Sequence, residues 1–240
     1  RVLFRSRLEF LEVSLDNIKQ LHEVGKTIHK FRSIKTLILS LRDSCKTDSI
    51  IAPFIKHTAP NLTRLILDLP SLGYGRLPQL APALSRAIGS KKTLRTLKIS
   101  TSTLSTTPAR KKYFFTNLRK LWRLENLILG CASCFFDFVP SCSLFSPFHP
   151  LQTITCSFSL GNSFIVFMHN LKVLRNVKRI NLTLDLFIET SRVDEYISAF
   201  LMPKEFQGKI ALHFNLSEKN VRENITFINK LSREKIDRKS

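Results

Sequence analysis

A recurring spacing of apolar residues constrains this chain more than any other feature of it. The anchors Leu11, Leu37, Leu65, Leu97, Leu127, Ile154, Ile180 and Leu212 follow one another at steps of 26, 28, 32, 30, 27, 26 and 32 residues. Three residues before seven of them stands another apolar residue: Leu8, Ile34, Leu62, Leu94, Leu124, Leu151 and Val177. The eighth has Lys209 in that place. Two residues after each anchor come Val13, Leu39, Leu67, Ile99, Leu129, Cys156, Leu182 and Phe214. Apolar residues at every second position mark a strand with one buried face. A strand that returns at a drifting but narrow period is one unit of a repeat array, in which neighbouring units supply the core that no unit has alone.

Helical spacing fills most of the gaps. Ile18, Leu21, Val24, Ile28 and Phe31 form a stripe after the first strand, and Ile50, Ile51, Phe54 and Ile55 one after the second. Leu80, Leu84 and Ile88 follow the third, behind a Gly73-Tyr74-Gly75 turn, and Gly89 closes that helix. Tyr113, Phe114, Leu118, Leu121 and Trp122 serve the fourth, with Pro108 at the helix start. Phe164, Phe167, Leu171 and Leu174 serve the sixth, and Val193, Tyr196, Ile197, Phe200 and Leu201 the seventh, where Ser191 and Asp194 are spaced as a cap. Val221, Ile225, Ile228 and Leu231 serve the eighth. The fifth repeat departs: residues 131–150 contain three prolines and no clean period, which predicts an irregular loop.

A strand followed by a helix at this period resembles the leucine-rich repeat family, most closely its ribonuclease-inhibitor-like subtype. The resemblance covers nearly the whole chain. It implies an α/β solenoid, a horseshoe of about eight strand–helix units spanning residues 1–240 as a single array, with a parallel sheet on the concave side. It also implies a protein-binding role without catalysis. The chain lacks the family's Asn or Cys ladder after each strand. Asp16, Arg42, Pro70, Ser102, Ala132, Ser159, Asp185 and Ser217 stand there instead, so the turns after the strands are built differently.

Charge narrows the choice of partner. With 38 basic against 18 acidic residues the net charge is +20, which favours an anionic partner: an acidic protein surface, nucleic acid or an anionic membrane. The outward positions of the strands form three columns. The first reads Phe10, Thr36, Arg64, Thr96, Asn126, Thr153, Arg179 and Ala211. The second reads Glu12, Ile38, Ile66, Lys98, Ile128, Thr155, Asn181 and His213. The third reads Ser14, Ser40, Asp68, Ser100, Gly130, Ser157, Thr183 and Asn215. This face is close to neutral, and Ile38, Ile66, Lys98 and Ile128 are its candidate contact residues. The excess cations cluster just before the strands: Lys91, Lys92, Arg95; Arg119, Lys120, Arg123; Lys172, Arg175, Lys178, Arg179. A cation near a helix C-terminus is stabilised by about 0.3–1 kcal/mol through the helix dipole, so such clusters serve as caps or as an anion-binding edge.

Nothing in the sequence assembles a catalytic constellation, and an enzyme is not expected. His22, His29, His57, His149, His169 and His213 are dispersed, and no Lys-Ser/Thr follows the glycine turn as a phosphate loop would require. Cys131, Cys134, Cys142 and His149 are zinc-type ligands, but they include a single Cys-x-x-Cys pair, and Phe135, Phe136, Phe138 and Phe145 could pack the loop without metal. No metal and no cofactor are therefore expected. Five cysteines, two at inward strand positions, favour a reducing compartment, cytoplasmic or organellar (mitochondrial included), over secretion. No run of about 18 apolar residues predicts a membrane span. The first residue is not Met, so the chain was processed or is part of a longer one. Val2, Leu3 and Phe4 lead directly into the first strand, which is then expected to be covered by upstream chain or a neighbouring subunit. The expectation is a scaffold subunit of a larger intracellular assembly with protein partners and no small-molecule substrate. The alternative is an RNA-contacting subunit of a ribonucleoprotein that uses the basic edge.

Overall fold

A computed structural model of the chain describes residues 8–15, 33–41, 48–57, 59–69, 82–101, 108–130, 150–159, 161–169, 171, 174, 176–186, 192–201, 206–216 and 221–237. The elements are β1 (Phe10–Leu15), β2 (Thr36–Leu41), α1 (Asp48–His57), β3 (Arg64–Leu69), α2 (Pro82–Gly89), β4 (Thr96–Thr101) and α3 (Pro108–Leu118). They continue with β5 (Asn126–Leu129), β6 (Thr153–Ser159), α4 (Asn162–His169), β7 (Arg179–Leu186), α5 (Val193–Leu201), β8 (Lys209–Leu216) and α6 (Val221–Asp237). The stripe at Ile18 to Phe31 and the irregular segment after Gly130 lie outside the described residues.

The eight strands form one sheet in chain order, and every pair is parallel. The anchors pair as the spacing predicts through seven strands, Leu11 to Leu37, Leu65, Leu97, Leu127, Ile154 and Ile180. The eighth differs. Ile180 pairs with Ile210, not Leu212, so the last step is two residues shorter than the spacing predicts. The reason lies in the period of a strand. Ile210, Leu212 and Phe214 alternate alike, and a shift of two leaves every side chain on its own face. Lys209, Ala211 and His213 therefore take the outward places read above as Ala211, His213 and Asn215.

One face of the sheet is buried. Leu37, Leu39, Leu65, Leu67, Leu97, Leu127, Ile154, Ile180 and Leu182 are at most 1% exposed, and they join the helices in one apolar cluster. Leu11 and Ile210, in the outer strands, are half-buried. In the C-terminal repeats the cluster is aromatic. Phe158 meets Phe167 at 5.0 Å and Phe164 at 5.8 Å between ring centroids, Phe164 meets Phe200 at 4.8 Å, and Phe227 links Phe200 to Phe214. These tilted and edge-on pairings suit the ring quadrupole. Gly89, at the end of α2, allows α3 to approach closely: a Cβ there would stand 2.9 Å from the Asn117 carbonyl oxygen.

The α3 stripe is buried at Phe114, Leu118 and Leu121 as its spacing predicts but not at Trp122, and the α6 stripe is rotated from its predicted face. On α3, Phe114, Phe115 and Leu118 are buried, whereas Trp122 is 57% exposed. The helix stops at Leu118, so helical spacing no longer sets the direction of Trp122 in the following turn. On α6, Asn224, Phe227 and Leu231 are buried while Ile225 is 49% exposed. Burial of the larger Phe227 ring against Phe200 and Phe214 decides the rotation, at the cost of burying an amide.

Candidate interaction surfaces

The second face of the sheet has no layer of helices over it among the described residues. Along β2, β4, β5 and β6 the outward residues are half-exposed while their neighbours in sequence are buried. Parallel sheets are normally covered on both faces, so this is an unusual surface. Ile38 and Ile66 pair across adjacent strands, and Ile66 and Ile128 flank Lys98 in the same row, which makes a shallow apolar strip with one cation in it. Asn126 Nδ2 donates to Thr96 Oγ1 at 3.5 Å and Asn181 Nδ2 to Thr155 Oγ1 at 3.1 Å, tying neighbouring strands on this side. Asn215 Nδ2 donates to Asp185 Oδ1 at 2.8 Å, a single rung at a position where the sequence offers no Asn ladder. With the corrected register Lys209 joins Arg64, Lys98 and Arg179 on this face, and Asp185 joins Glu12 and Asp68, so it stays near neutral.

The rim before the strands is built by a regular backbone device. The Glu9 carbonyl accepts the N–H groups of both Lys35 and Thr36, at 2.8 and 2.9 Å. The carbonyls of Lys35, Thr63, Arg95, Glu125 and Gln152 repeat the pattern with the next strand. This places Glu9, Lys35, Thr63, Arg95, Glu125, Gln152 and Lys178 in one row. Charges within the row pair off: Lys35 Nζ lies 2.7 Å from Glu9 Oε1, and Arg95 Nη1 lies 3.1 Å from Glu125 Oε1.

Of the ten edge cations, several are engaged by the fold. Lys91 is 5% exposed, and its ammonium donates to the Lys56 carbonyl in the last turn of α1 at 3.2 Å. Burial pushes its pKa down to about 8. Lys92 Nζ donates to the Lys120 carbonyl at 3.0 Å, just past the end of α3, and Lys120 Nζ donates to Asn117 Oδ1 at 3.0 Å. Arg95 holds Glu125, as above. The Lys91 and Lys92 contacts complement the negative ends of α1 and α3, so these cations have a structural use. The Arg123 guanidinium lies 4.3 Å from the centroid of the exposed Trp122 ring, with Arg119 and Lys120 exposed beside it. Lys178 and Arg179 are exposed. Lys172 and Arg175 lie outside the described residues.

Cys131, Cys134, Cys142 and His149 also lie outside the described residues. Among those described, no three His, Cys, Asp or Glu side chains stand close enough to hold a metal. Cys156 is a free, fully buried thiol whose pKa burial raises. Near α5, Arg192 donates to Glu195 Oε2 at 2.8 Å, and this hydrogen bond lowers the carboxyl pKa, while Lys230 pairs with Asp194 to tie α6 to α5. No described helix is long and apolar enough to cross a membrane.

One cleft was not legible in the sequence. It has a volume of about 550 Å³ and opens at the starts of β6, β7 and β8, where Gln152, Lys178, Arg179, Gln207 and Lys209 meet. The only hint of it was the failed anchor at Lys209. The sequence matches no protein-family model and no curated protein.

Proposed function

We propose that the chain is a non-catalytic interaction scaffold of the leucine-rich repeat kind, a solenoid whose uncovered concave face docks a protein partner within a larger intracellular assembly. The observation that carries this reading is the face of the parallel sheet that no described helix covers. Eight side-by-side strands present half-exposed Ile38, Ile66 and Ile128 among small Ser and Thr residues. The near neutrality of that face fits a protein segment with apolar side chains better than a polyanion. Apolar strips of this sort on otherwise polar surfaces mark protein contacts.

A second reading, an RNA contact along the basic edge, is favoured by Trp122. An exposed indole with Arg123 over it, and exposed Arg119 and Lys120 within three residues of it in sequence, offers stacking and phosphate contacts together.

The two readings separate in one experiment. A photo-crosslinking amino acid is placed at Lys98 or Thr155 on the open face, and at Arg119 on the edge, in the native assembly. Protein adducts that form at Lys98 and Thr155 and persist after ribonuclease treatment are the expected result. Adducts confined to Arg119 and lost to ribonuclease would replace the scaffold reading with the RNA one.

A further inference from the structure

We propose that the cleft at the starts of β6, β7 and β8 is a binding site for a phosphate group of two or more charges, such as a diphosphate or a terminal phosphate ester. The cleft shares Arg179 and Lys209 with the open face, but the inference rests on neither the docking reading nor Trp122.

The cleft arises where the repeat frame breaks. At each earlier step of the rim one carbonyl accepts two N–H groups from the next strand. At the last step the Lys178 carbonyl accepts only the Lys209 N–H, at 2.9 Å, among the described residues. The chain enters β8 through Gly208, and the rim opens there. Gly208 has no room for a side chain: a Cβ would stand 2.8 Å from the Val177 carbonyl oxygen and 2.4 Å from the Phe206 ring. The lack of a side chain at Gly208 lets the Phe206 ring and the Val177 carbonyl close on this backbone, which shapes the bend of the chain into β8 beside the cleft.

The lining is one-sided in charge. Lys178, Arg179 and Lys209 are exposed, and none forms an ion pair with a described residue. Elsewhere along the same rim the cations are neutralised, Lys35 by Glu9 and Arg95 by Glu125. Among the described residues no acidic side chain lines the cleft, and Gln152 and Gln207 add amide donors. Arg179 and Lys209 are register partners, so their backbones are about 4.8 Å apart across the sheet. Three like charges gathered at one cleft repel one another, and a compact polyanion relieves this. A single carboxylate offsets one of the three charges, whereas a diphosphate matches all of them. Phosphate oxygens accept only, and the planar fork of Arg179 suits two of them at once. The volume is that of a small-ligand pocket rather than a crevice for one ion.

The test is isothermal titration calorimetry on the full chain with three probes: inorganic pyrophosphate, a nucleoside diphosphate and a short RNA bearing a 5′-phosphate. Saturable one-site binding of pyrophosphate is expected. It should weaken about tenfold in Arg179→Gln and in Lys209→Gln and by less than about twofold in Lys92→Gln, with a shallow salt dependence reflecting few charge contacts. Tighter binding of the nucleoside diphosphate assigns the phosphate to a small molecule. Tighter binding of the RNA, lost when its 5′-phosphate is removed, assigns it to a nucleic-acid end. Unchanged melting of both exposed-site variants shows that folding is intact. The proposal is overturned if no probe saturates at millimolar concentration. It is equally overturned if Lys92→Gln weakens binding as much as Arg179→Gln, since that is diffuse attraction to a chain of charge +20.

Discussion

Lys91 occupies a column in which its counterparts in three other described repeats are buried and apolar. Ala59, Leu121 and Leu174, each three residues before the first strand apolar residue of its repeat, are 1%, 0% and 3% exposed, and Lys91 is 5% exposed. Its stem fills core space and its ammonium reaches the Lys56 carbonyl. The charged form is disfavoured, so the pKa falls from 10.5 to about 8. The linkage sign follows. Below pH 8 both the folded and unfolded chains hold the proton, and the folded chain bears the cost of a buried charge. Between pH 8 and 10.5 the unfolded chain binds more protons than the folded one, so stability rises with pH and levels off above 10.5. At 1.36 kcal/mol per pH unit the rise is about 3 kcal/mol. Lys91→Met keeps the stem's volume and removes the titration. Stability from urea unfolding is to be measured for both proteins from about pH 7 to 10.5, and the difference taken, which cancels the other lysines. The wild-type chain should gain about 3 kcal/mol on the variant across that window. Near pH 7 the variant should be the more stable by about 1–2 kcal/mol, because loss of the Lys56 hydrogen bond offsets part of the relieved burial cost. Parallel curves for the two proteins would refute the account of Lys91 as a buried, cap-forming cation.

Leu97→Ala, at a fully buried anchor, should cost roughly 2–5 kcal/mol in urea unfolding, and an unmoved midpoint would place Leu97 outside the core. Asn224 is 0% exposed and its amide has no hydrogen-bond partner among the described residues, so Asn224→Leu should stabilise by about 1–3 kcal/mol. Destabilisation there would mean that the amide has a partner in the folded chain. Cys156, buried and with little thiolate at pH 8, should resist alkylation in the native chain and react fully in denaturant, as peptide mass spectrometry can follow. Rapid native labelling at Cys156 would show that the sheet opens at β6.

The sequence by itself determined the strands, their parallel order and the buried face. Each repeat places two or three apolar residues at alternate positions, which decides the face each strand buries, and in the first seven the further apolar residue three places before the anchor agrees with the register observed. It also located the cations near helix ends. Tertiary structure decided what period alone leaves degenerate. Ile210 and Leu212 are equivalent under a shift of two, so only pairing with β7 set the register of β8 and opened the cleft beside Lys209. Trp122 and Ile225 lie at helical spacing from core residues, but where a helix stops and which ring its neighbours accept are matters of packing. The division of the cations was equally hidden. Lys91, Lys92, Arg95 and Lys120 find carbonyls, an amide and a carboxylate within the fold, while Lys178, Arg179 and Lys209 face a cleft that no described acidic residue lines. The pairings of Lys91, Lys92 and Arg95 join residues 35, 28 and 30 positions apart, one repeat to the next, and these charges acquire their partners only when the repeats stack.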